Sequence, residues 1–168
     1  MSTVSGINLL IRTSMAGLIA WAFVACTPAY ETRGLPVTPD DLRILERADV
    51  LLSTEASWNR HDDRNCPPGQ ATLSLFCALQ AASVEVLGTY DHRRVALQEV
   101  RFAIEEVSGG REFEHRLMDF NNLPATRFQD IKRVLSIAHD RVLARLKEVQ
   151  SPRALAFNAP FRDRLLSL

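Results

Sequence analysis

Between Ala71 and Gly88 the chain reads Ala-Thr-Leu-Ser-Leu-Phe-Cys-Ala-Leu-Gln-Ala-Ala-Ser-Val-Glu-Val-Leu-Gly. Wound into a helix, this segment carries apolar side chains on nearly every face, so it is stable only with other helices packed around it. Its many Ala, Ser and Cys residues allow close helix approach. Gly88 supplies a terminator, and Gln80 and Glu85 speak against a membrane span. The sequence therefore predicts an all-α fold: a compact bundle of four main helices, this one central, with short accessory helices.

The partners are legible from period and caps. Thr38-Pro39-Asp40-Asp41 opens helix one, with a capping hydroxyl, a proline at the first helical position and acids at the positive end of the dipole. Leu42, Leu45, Ala48 and Leu52 form its stripe, with Ile44 and Leu51 at the margin, and its end is expected near Ser57 or Trp58. A polar loop from Asn59 closes on the breakers Pro67, Pro68 and Gly69. Helix three is expected from His92 to Val107. Ala96, Val100, Ala103, Ile104 and Val107 face inward, Arg93, Arg94, Gln98, Arg101 and Glu105 outward, and Gly109 and Gly110 stop it. A short helical piece should cover Glu112 to Met118. Thr126-x-x-Gln129 reads as a capping box for helix four, whose stripe is Ile131, Val134, Leu135, Ala138, Val142, Leu146 and Val149. Residues 151–168 form a tail in which Phe157, Phe161 and Leu165 recur at four-residue spacing, either a short docked helix or a loose end.

Composition narrows the function classes. Apolar residues make up 46% and charged residues 24%, which places the chain among globular proteins and away from disordered ones. Net charge is zero, and acids alternate with bases along the chain, so nucleic acid is not an expected partner. Only Lys132 and Lys147 are lysines; the arginine skew is read as genome composition. Cys26, Cys66 and Cys77 match no zinc or Cys-x-x-Cys pattern. In an exported chain Cys66 and Cys77 could pair; in a cytoplasmic one they would be thiols.

Residues 1–14 carry one side-chain charge, Arg12, and an apolar run from Met15 to Ala25 follows. Its length suits a signal peptide better than a membrane span. Ala-Phe-Val-Ala-Cys, ending at Cys26, resembles a lipobox with Phe23 where leucine is usual. The sequence thus predicts a signal over 1–26 with lipidation at Cys26, a tether over 27–37, a helical domain over 38–150 and a location in the cell envelope. The alternative is a start at Val37, which would make the protein cytoplasmic.

From Leu42 to Val149 the chain resembles a family of small bacterial and phage helical proteins known only as a domain of unknown function. Three features carry the resemblance: Trp58 before the polar loop, Ser74-Leu75-Phe76-Cys77-Ala78-Leu79 against a Cys-Leu-x-Gly-Ala-Leu pattern, and Phe120-Asn121-Asn122-Leu123-Pro124 against a Trp-Asn-Asp-x-Pro turn. Ser74 stands at the family's Cys, Cys77 at its Gly, Phe120 at its Trp and Asn122 at its Asp. The resemblance implies an all-helical fold and supplies no activity.

Candidate chemistry is sparse. His61-Asp62-Asp63 and His139-Asp140 resemble the His-Asp pairs of metal phosphohydrolases, and His115 with Asp119 could add a pair four residues apart. Such a centre needs His61, His115, Asp119 and His139 to converge; the plainer reading is a solvated loop and scattered surface histidines. Ser74 and Ser83 lack a nucleophile-elbow pattern and read as small packing residues. Asn121 and Asn122 could present amides to a ligand, but the favoured reading is that Asn121 bonds the backbone of its own turn. Trp58 is either a lid on the core or a stacking platform. No catalytic set and no cofactor motif emerges. The expected function is a noncatalytic module for an unknown protein partner, with the membrane reached through the lipid anchor. The alternative is a cytoplasmic enzyme or ligand-binding protein using loop 59–65 and the Asn121-Asn122 turn.

Overall fold

A computed structural model describes residues 36–151. Cys26 and the phenylalanines of the tail lie outside the described residues. The elements are α1 (Pro39–Leu51), a single 3₁₀ turn (Glu55–Ser57), α2 (Leu75–Leu87), α3 (Val95–Val107), α4 (Arg116–Asn122) and α5 (Phe128–Val149). Among the described residues there is no β-strand, only a bridge in which Asn59 donates to Leu73 O (2.9 Å) and Leu73 to Ser57 O (2.9 Å). The protein is an all-α helical bundle.

Helix α3 lies along α5, α1 packs on both α2 and α5, and α4 touches α2 and α3. The stripes meet as their spacing requires. Ile44, Leu45 and Ala48 of α1, Leu75, Ala78, Leu79 and Ala82 of α2, Val100, Ala103 and Ile104 of α3, and Ile131, Val134, Leu135, Ala138 and Val142 of α5 share one core.

Helix α1 starts where the sequence places it. The Asp41 carboxylate accepts the Thr38 N–H at 2.9 Å. That carboxylate is fully buried, and Arg94 grips it with Nε to Oδ1 at 3.1 Å and Nη2 to Oδ2 at 2.7 Å. Ala96 N–H adds a third contact to Oδ1 (3.1 Å), so one side chain ties the starts of α1 and α3 together. Arg94 thus faces inward rather than outward as expected.

Several boundaries differ from the periodic reading. Helix α1 stops at Leu51, and a separate turn carries the chain to Trp58. Residues 71–74 are not helical, because Ser74 caps α2 by accepting the Cys77 N–H (3.1 Å). Helix α3 starts at Val95 rather than His92. The cap of α5 is one residue later than expected: Arg127 N–H donates to Asp130 Oδ2 (2.8 Å), while the Thr126 hydroxyl donates backward to Phe120 O (2.7 Å). Nor is α2 enclosed on all sides, since Val84 and Glu85 are exposed. Val149, at the end of α5, is also exposed.

Candidate functional site

The loop before α2, the first residue of α2 and the last turn of α4 converge on one buried amide. Asn121 and Asn122 close α4 rather than sitting in a turn after it. The Asn121 Oδ1 accepts the Trp58 indole N–H (2.8 Å) and the Leu75 N–H (3.1 Å). Its Nδ2 donates to Asn59 O (3.0 Å) and to Asn122 Oδ1 (3.2 Å). The indole and the backbone amide are obligate donors, so the orientation of the carboxamide is fixed and its bonding capacity is spent. Asn121 therefore joins three distant segments and leaves the backbone of its own turn to others.

Trp58 is buried, with its ring 6.1 Å from that of Phe128 at the start of α5. Its structural role is a lid on the core, and Arg60 covers its face at 5.3 Å. The same Arg60 donates through Nη2 to Pro124 O (3.1 Å) and Thr126 O (3.0 Å), closing the carbonyls between α4 and α5.

Asn122 clasps the loop. Its Oδ1 accepts the Asp62 N–H (2.7 Å) and its Nδ2 donates to Asp62 O (2.8 Å), pairing with that peptide as a strand would. The Asp62 side chain turns inward and is 6% exposed. Its Oδ1 accepts the Arg64 N–H (2.7 Å), and its Oδ2 has no partner. Burial raises the Asp62 pKa; the Arg64 amide and the Ser74 hydroxyl oppose the rise, although Ser74 lies outside hydrogen-bonding geometry to Oδ2. Arg64 occupies the left-handed region (φ 62°), where the chain turns toward Cys66. Cys66 is bonded to Cys77 in the first turn of α2, with Cα atoms 5.4 Å apart.

The proposed metal set does not assemble. His61 is exposed in the loop, and its backbone N–H is held by Asn59 Oδ1 (2.9 Å). The His115 backbone N–H donates to Asp119 Oδ2 (2.8 Å), so Asp119 acts as a helix cap. His139 lies on α5 beside Asp140 (3.3 Å). Among the described residues no group of three or more His, Cys, Asp and Glu could hold a metal ion.

The motif segments thus meet in space: Trp58 and Leu75 both bond to Asn121. Residues 36–141 match the family described as "Family of unknown function (DUF6197)". The chain belongs to that family. No curated protein and no solved structure matches it. In this DUF6197 member the disulfide uses Cys77, and Ser74 caps α2. Sequence reading singled out Trp58, Asn121 and Asn122 but missed Asp62 as a buried group and Arg60 as a clamp. Neither stands out in a loop where every neighbour is polar.

Proposed function

We propose that this DUF6197 domain is a noncatalytic interaction module that displays loop 59–69 to a protein partner from a lipid-anchored position in the cell envelope. The single observation that carries this reading is the way an exposed polar loop is bolted to the bundle. The Cys66–Cys77 disulfide fixes one end, Asn122 clasps the Asp62 peptide, and Arg60 reaches the carbonyls before α5. Recognition residues are commonly carried on loops held by a rigid scaffold. His61, Asp63 and Asn65 are left exposed on this one.

The disulfide also supports export, because such bonds persist in oxidising compartments. Lipidation at Cys26 and the tether over 27–37 complete the reading. Multiple acyl chains hold a protein on a membrane stably, each buried methylene contributing about 0.8 kcal/mol.

The test has two parts in the native host. Photo-crosslinking residues at His61 and Asp63 should give a discrete protein adduct that the same group at Ser136, exposed on α5, does not give. Equal labelling at all three positions would argue against the loop as the recognition surface. Intact-mass analysis should show an acylated chain beginning at Cys26. A second reading rests on the family match beginning at residue 36: a chain started at Val37 retains the matched domain almost whole and is cytoplasmic. Unmodified protein with that start would replace the envelope reading with this one.

A further inference from the structure

Arg64 of the loop and Arg101 of α3 lie near Tyr90, and Arg116 of α4 lies next to Arg101. Arg64 sits over the Phe76 ring at 5.9 Å, and Phe76 meets Tyr90 edge to face at 5.9 Å. Arg101 of α3 folds back so that Nη1 donates to His92 O (2.8 Å), two residues from Tyr90. Arg116 of α4 donates to the Arg101 carbonyl (3.3 Å) and pairs with Glu105 (3.2 Å).

The donors in this cluster exceed its acceptors. Among the described residues Arg101 uses one nitrogen only, Nη1. Its Nε/Nη2 edge, the one that grips an oxyanion with two parallel bonds, has no partner there. Neither Arg64 nor Arg101 is within ion-pair distance of a carboxylate of the described residues. The Tyr90 hydroxyl, on a half-buried ring, makes no hydrogen bond to a described residue. Of the acids nearby, Glu105 pairs with Arg116, whereas Asp91, whose Oδ1 accepts the Arg93 N–H (2.9 Å), keeps its negative charge near Tyr90 and is outweighed by the arginines. Electrostatics agree with the geometry. Burial lowers the pKa of Arg101, Tyr90 counters this, and the charge of Arg116 lowers it further. A half-buried guanidinium beside a like charge is costly without a counter-anion.

We infer that Arg101, with Arg116, Arg64 and the Tyr90 hydroxyl, forms a binding site for a phosphate-type dianion, with the free edge of Arg101 as its principal grip. The site goes beyond the display of loop 59–69 and does not require it, except that Arg64 comes from that loop. The phosphate could belong to a soluble monoester or to a lipid headgroup.

The full 168-residue chain is titrated with inorganic phosphate at constant ionic strength, and the Nε–Hε signals of its arginines are followed by NMR. A saturable shift of the Arg101 signal in the millimolar range is expected. Arg116→Gln should weaken binding by about tenfold, the scale of one hydrogen bond to a charged group. Tyr90→Phe, which removes only a hydroxyl and keeps the packing on Phe76, should weaken it by a few fold. Arg133→Gln, on an exposed position of α5, should leave it unchanged. Competition by glycerol phosphate assigns the site to a soluble monoester. Competition only by phosphatidylcholine vesicles doped with phosphatidic acid assigns it to a headgroup. Absence of a saturable Arg101 shift, or the same shift with chloride replacing phosphate, would overturn the inference. An unchanged affinity in both folded variants, Arg116→Gln and Tyr90→Phe, would overturn it as well.

Discussion

Replacing Asn121 by alanine tests whether the buried amide is the fastening of the loop to the bundle. The substitution removes the acceptor of two buried donors, the Trp58 indole and the Leu75 amide, and the donor to Asn59 O. A buried polar group left without a partner costs about 1–3 kcal/mol. The two donors alone then give about 2–6 kcal/mol; Asn59 is only half-buried, so water can reclaim much of its share. Against a total of about 5–15 kcal/mol for a domain, the lower half of that range halves the stability of a modest fold. Urea unfolding followed by far-ultraviolet circular dichroism measures the change. Asn122→Ala is the internal comparison, because Asn122 is exposed and its removal should cost about 1 kcal/mol. The chain has two tryptophans, Trp21 and Trp58, so the indole N–H region of a proton spectrum also reports directly. One of its two signals should move and broaden in Asn121→Ala. A loss under about 1 kcal/mol with both indole signals in place would refute the reasoning.

Arg94→Ala strands a fully buried Asp41 carboxylate and should cost about 3–5 kcal/mol by urea unfolding, whereas a value near that of a surface ion pair would mean that water reaches Asp41. The Asp62 pKa lies above the ordinary 3.8 in the fold, so the folded state holds its proton more tightly than the unfolded chain does. Its contribution is fully present below 3.8 and is lost as pH rises through the folded pKa; Asp62→Asn should abolish that decline and leave the protein more stable than the parent at neutral pH. A parent and variant with parallel stability profiles from pH 3 to 7 would exclude Asp62 as the cause. Replacing Cys66 and Cys77 by serine removes a short closed loop and should cost about 2–3 kcal/mol, with amide exchange in residues 60–66 accelerated most. Uniform acceleration across the bundle would show that the bond steadies the core rather than the loop.

The helices were legible because burial repeats with their own period. The stripe of α5 is buried at every expected position except Val149, its last residue. Ends were less legible, because several residues near each one could cap it. Thr126 and Gln129 offer one box, Arg127 and Asp130 another; the second won because the Thr126 hydroxyl already bonds to Phe120 O. Ser74 looked like a small residue inside an apolar helix, yet a serine at a helix start is worth more as a cap. The family-like motifs marked Trp58 and Asn121 without revealing that they bond to each other across 63 residues. Asp62 and Arg94 were beyond reach, since a charged residue announces its partner only once the chain has brought a distant helix beside it. The same holds for Cys66 and Cys77, whose pairing the sequence could state only as a condition of export.

The reach of Asn121 bears on when this protein can become rigid during its synthesis. The peptide from Thr38 to Leu87 contains both of the first two long helices, but the indole of Trp58 and the first amide of α2 wait for an acceptor translated 63 and 46 residues later. Contacts so far apart in the chain form only after loop closure has been paid for, and they set the slow end of folding. A chain in which this acceptor has not yet docked should therefore have helical segments without a locked loop, open to proteases. Parent and Asn121→Ala chains of full length should differ sharply in cleavage at Arg60 and Arg64 while they refold, so that one carboxamide divides a pliable precursor from the finished molecule.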